Sequence, residues 1–70
     1  MQVNYKARLL KCKAWMKATQ MDDNKVFLLF TEFKHGSKSA QESVRFKYFL
    51  SGKITDESTL DKFENFTKTL

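Results

Sequence analysis

The sequence predicts an α+β domain in which a three-stranded antiparallel β-meander carries one C-terminal α-helix packed on one face. Three observations lead there. Residues 56–69 repeat apolar side chains at a helical period, residues 26–33 and 43–50 are runs of β-branched and aromatic residues, and a polar, small-residue stretch joins those two runs. Seventy residues leave room for a single domain (1–70) and one core. A domain this short buries only about 60% of the surface its unfolded chain exposes.

The first twenty residues admit two forms. As a strand, Val3, Tyr5, Ala7 and Leu9 put apolar side chains on odd positions, and Leu10, Cys12, Ala14 and Met16 then put them on even ones. A β-bulge produces such a change of parity. Residues 21–25, Met-Asp-Asp-Asn-Lys, then make the tight turn into the next strand. As a helix over residues 4–19, Tyr5, Leu9, Cys12 and Met16 form one stripe, and the element order becomes α-β-β-α. Lys6, Lys13 and Lys17 then flank the stripe on one side, Arg8 and Lys11 on the other. The bulged strand is preferred, because on the helix Leu10 points away from the stripe and Trp15 lies at its margin.

Residues 26–33, Val-Phe-Leu-Leu-Phe-Thr-Glu-Phe, are apolar on both parities, as a central strand covered on both faces requires. In residues 43–50, Val44, Phe46, Tyr48 and Leu50 share one face and Arg45, Lys47 and Phe49 the other. The stretch from His35 to Glu42 reads as a flexible hairpin loop, and Gly52 ends the second run. Leu60, Phe63, Phe66 and Leu70 then fall on one face of the final helix, with Thr55 or Asp56 as its N-cap.

Composition excludes several classes. One cysteine forms no internal disulfide, and one cysteine with one histidine cannot furnish a zinc site of nitrogen and sulfur ligands, so no metal or cofactor is expected. A Cys12–His35 pair is the sole candidate nucleophile. Cys12 lies on an apolar parity and His35 beside Gly36 in a loop, which are the ordinary settings of a buried thiol and a solvated imidazole. The two glycines stand 16 residues apart and make no phosphate loop. An enzyme is not expected. Lys6, Arg8, Lys11 and Lys13 interrupt any signal-peptide core, and the longest apolar run, Val26–Phe30, is far shorter than the ~20 residues of a membrane helix. A cytoplasmic protein that does not engage membranes is expected.

The net charge of +5 is uneven. Residues 1–54 carry eleven basic and four acidic side chains, a net of +7, and residues 55–70 two and four, a net of −2. The positive end attracts phosphate or acidic protein. In the strand form, Lys11, Lys13, Trp15 and Lys17 share one sheet face with Arg45, Lys47 and Phe49. The five cations then meet phosphates while Trp15 and Phe49 stack on bases, which predicts a small nucleic-acid-binding domain, with single-stranded DNA or RNA the preferred ligand. Residues 44–49 interleave basic and aromatic side chains but lack the glycines of the RNA-recognition and cold-shock motifs. The rival expectation is a protein-binding module or inhibitor that docks an acidic partner through its aromatics or an edge strand. Seven phenylalanines in so small a chain also suit self-association as a homodimer.

Overall fold

The computed structural model describes residues 2–69. They form four α-helices: α1 (Gln2–Thr19), α2 (Asp23–Phe33), α3 (Ala40–Ser51) and α4 (Glu57–Thr69). Among the described residues there is no strand. The three-stranded meander is therefore corrected to an all-helical bundle, and the bulge at Leu9–Leu10 and the hairpin at 35–42 go with it.

Residues 26–33 and 43–50 are helical because their apolar side chains satisfy the helical period as well as the strand period. On α2 the buried residues are Val26, Phe27, Phe30 and Thr31, one stripe of a helix, while Leu28 and Phe33 stand exposed. On α3 they are Phe46, Phe49 and Leu50. Strand alternation would bury Val44 and Tyr48 with Phe46, yet both are nearly half exposed. On α1 the buried stripe is Tyr5, Leu9, Cys12 and Met16, the one the helical alternative requires. The C-terminal helix stands where its periodicity puts it, with Leu60, Phe63 and Phe66 buried; Leu70 lies outside the described residues.

The helix ends are fixed by side chains between the apolar runs. Asp22 caps α2, its carboxylate accepting from the Lys25 amide at 2.8 Å. Ser39 caps α3, its hydroxyl accepting from the Glu42 amide at 3.2 Å. Asp56 caps α4, accepting from the Thr59 amide at 3.1 Å and the Thr59 hydroxyl at 2.9 Å. Each cap satisfies an amide that the first turn leaves without a partner. The 21–25 stretch is thus a helix–helix junction and not a hairpin turn.

Three helices end in the same backbone motif. Met21, Gly36 and Lys53 donate their amides to the carbonyls of Met16, Thr31 and Tyr48, five residues back. The intervening residues Gln20, His35 and Gly52 take left-handed conformations, with φ of 59°, 56° and 86°.

α1 packs along α4, and α2 packs along both α3 and α4. The core is a phenylalanine cluster. Phe63 lies at its centre, with ring centroids 5.1 Å from Phe30, 5.8 Å from Phe46 and 6.0 Å from both Phe49 and Phe66. Edge-on, tilted and stacked arrangements at these distances add to the burial of the rings themselves. The composition's surplus of phenylalanine is absorbed mainly here.

Two polar ties join α1 to α4. Arg8 grips Glu64 through two hydrogen bonds of 2.8 and 2.7 Å and also contacts Asp61. The Tyr5 hydroxyl accepts from the Asp56 amide at 3.0 Å, holding the start of α4 against the first turns of α1.

Candidate functional site

The contacts that hold α1 to α4 leave α1 and α3 without extended packing between them. A groove runs along that seam. Its floor is Leu9 and Met16 of α1 and Leu50 of α3, all buried; Leu10, 59% exposed, stands on its α1 side. Lys6, Lys13 and Lys17 line it from α1, and Lys47 from α3. Asp23 is the single acid among the residues lining it.

The helical period explains the arrangement. Positions 6, 10, 13 and 17 recur at steps of four, three and four, so they share one flank of α1 beside the buried stripe. Lysine stems can lie along apolar surface while their ammonium groups stay in water. The result is an apolar trough with a cationic rim.

Of the seven residues singled out from the sequence, the structure brings Lys13, Lys17 and Lys47 together here. The others are dispersed. Lys11 lies on the opposite flank of α1, near Arg8, Glu64 and Lys68. Arg45 borders a separate depression with Glu42 and Asp56. Trp15 is half buried, its ring edge-on to Phe66 at 5.6 Å. Phe49 is only 2% exposed and belongs to the core, so it offers no face to a base. The single basic–aromatic face required a sheet, and without the sheet its members point in different directions. Lys6 and Leu10 are the exposed α1 residues of the groove missing from those seven, although the spacing 6-10-13-17 was available to find them.

The ion pairs among the described residues lie elsewhere, at Arg8 and Lys38. The Arg8 guanidinium holds the Glu64 carboxyl below its ordinary range, and the Arg8 ion is itself favoured by Glu64 and Asp61. Asp56 is lowered by the Thr59 amide, then by the Thr59 hydroxyl. Lys38 donates to Glu32 at 2.7 Å and lowers that carboxyl. Burial pushes the Cys12 thiol up, the reverse of what an activated nucleophile needs. Among the described residues no three metal-ligating side chains cluster, and no helix is long and apolar enough to cross a membrane. No protein-family model, curated protein or solved structure matches this chain.

Proposed function

We propose that this chain is a non-catalytic docking module that binds an acidic segment of a partner protein along the groove between α1 and α3. The observation that carries this is the exposed Leu10 on the α1 flank that carries Lys6, Lys13 and Lys17, above an apolar floor. Apolar floor and cationic rim together suit a ligand that is both apolar and negatively charged. A nucleic-acid backbone would use the lysines and waste the floor. It would also find no exposed aromatic ring in the groove, since Tyr5 is buried there.

The test is a set of titrations of 15N-labelled protein, read by backbone amide shifts, at 50 and 200 mM salt. One probe is a 15-residue peptide rich in Leu and Glu with its leucines three to four residues apart, the second a 16-nucleotide single strand, the third its duplex. Peptide-induced shifts at residues 6–17 and 47–51 support docking of an acidic segment. Oligonucleotide binding at the same residues, tighter than the peptide's and weakening steeply with salt, transfers the function to nucleic acid. Absence of any shift in the groove at millimolar peptide removes the proposal.

A further inference from the structure

We infer that the segment this groove accepts is an amphipathic α-helix of about three to four turns, with apolar residues spaced i, i+3 or i+4, i+7 and carboxylates on both flanks. The inference rests on the groove being the binding surface and concerns the form of its ligand.

The first argument is backbone hydrogen bonding. Both walls of the groove are helices whose amides and carbonyls are paired within themselves, and the described residues include no sheet edge. A guest lying over Leu9, Met16 and Leu50, all within helices, therefore meets no open row of backbone partners there. An extended guest would set unpaired amides and carbonyls against Leu9, Met16 and Leu50, and each group cut off from water without a partner weakens binding. A helix pairs those groups internally and presents only side chains.

The second argument is spacing. The groove has two wells that share Lys13, Leu50 and Ser51. The α1 residue on the floor of one is Leu9 and of the other Met16, seven residues apart. At 1.5 Å per residue the wells are about 10.5 Å apart, the separation of positions i and i+7 on a guest helix lying alongside. From Lys6 to Lys17 the rim extends eleven residues, or about 16 Å, which a guest of about 12–15 residues spans.

The third argument is charge. Three lysines stand on the α1 wall and Lys47 on the α3 wall, against the single acid Asp23. A guest flanked by carboxylates on both sides of its apolar stripe meets ammonium groups on both walls, whereas a basic amphipathic helix is repelled.

The experiment uses the whole chain and four 15-residue peptides of one length, measured by fluorescence anisotropy and amide shifts. The first has Leu at positions 4, 8, 11 and 15 with Glu and Gln elsewhere. The second has the same composition with its leucines at strand spacing, the third carries a central proline, and the fourth has Lys for Glu. The first is expected to bind in the groove, the second and third about tenfold more weakly or less, and the fourth not at all. Lys13→Glu and Leu10→Gln, both exposed positions, each weaken the first peptide by roughly tenfold while circular dichroism shows the fold intact. Equal affinity for the helical, strand-spaced and proline-broken peptides overturns the inference and leaves acidic docking standing. Absence of groove shifts with every acidic peptide overturns both.

Discussion

Glycine introduced at Gln20 or His35 is expected to stabilise the protein, whereas alanine at Gly52 destabilises it. All three residues occupy the left-handed position that ends a helix, with φ of 59°, 56° and 86°. A residue with a Cβ loses roughly 1–2 kcal/mol in that conformation. Glycine avoids the loss but gives up about 0.5–1 kcal/mol in additional backbone entropy on folding. The net gain at Gln20 or His35 is therefore on the order of 0.5–1 kcal/mol, and both side chains are exposed, so little packing is forfeited. At Gly52 a Cβ would meet nothing within 4 Å, so the loss in Gly52→Ala comes from backbone conformation alone. For a domain of this size 1 kcal/mol moves the midpoint by about 4–8 °C. Thermal unfolding followed at 222 nm should show Gln20→Gly and His35→Gly each melting about 2–8 °C higher and Gly52→Ala lower. Ala18→Gly, at an exposed site inside α1, is the control and should lose about 1 kcal/mol. If Gln20→Gly destabilises as much as Ala18→Gly, the left-handed termination of α1 is refuted.

Phe63→Ala removes the ring at the centre of the phenylalanine cluster and should cost about 3–5 kcal/mol, a large part of the ~4–10 kcal/mol that 70 residues typically provide; loss of a cooperative urea transition is the expected readout. Thr31 is fully buried and its hydroxyl has no hydrogen-bond partner. Thr31→Val keeps the branched shape and should raise the urea midpoint by an amount equivalent to about 1 kcal/mol; a lower midpoint would show that the hydroxyl is satisfied in solution. Glu64, Asp56 and Glu32 all titrate below their ordinary range in the folded chain. A depressed carboxyl contributes stability that is fully present above its unfolded pKa and is lost as pH falls through the folded value. The midpoint should thus be flat from pH 7 to about 5 and fall below about 4. Combining Glu64→Gln with Asp56→Asn, which keeps a capping oxygen, should make that fall shallower; an unchanged acid profile would count against both carboxyls.

How much of this was legible in the sequence depends on the segment. In α4 the apolar residues are separated by charged ones, so only one period fits, and Asp56 marks the start. In residues 26–33 nearly every position is apolar, so strand and helix periods fit equally well and β-propensity tips the balance the wrong way. The distinguishing signals were local and polar. Asp22 and Ser39 each stand three residues before the amide they cap, and Ser39 with Glu42 has the spacing of a capping box. The loop between those runs also lacks the Asn-Gly or Asp-Gly step that favours a hairpin.

The amino-acid order suffices to show that the chain is basic over residues 1–54, that half of its acids lie in residues 55–70, and that Lys6, Lys13 and Lys17 share a flank if residues 4–19 are helical. These follow from covalent order and from a fixed helical period. Which cations stay available to a ligand depends on how the helices pack. Arg8 is committed to Glu64 and Asp61, Phe49 is drawn into the core beside Phe63, and Lys47 arrives opposite Lys13 and Lys17 because α3 approaches α1 without extended packing against it. Those outcomes depend on how four apolar stripes share one core. No single stripe contains that information, because each is equally apolar whichever neighbour covers it.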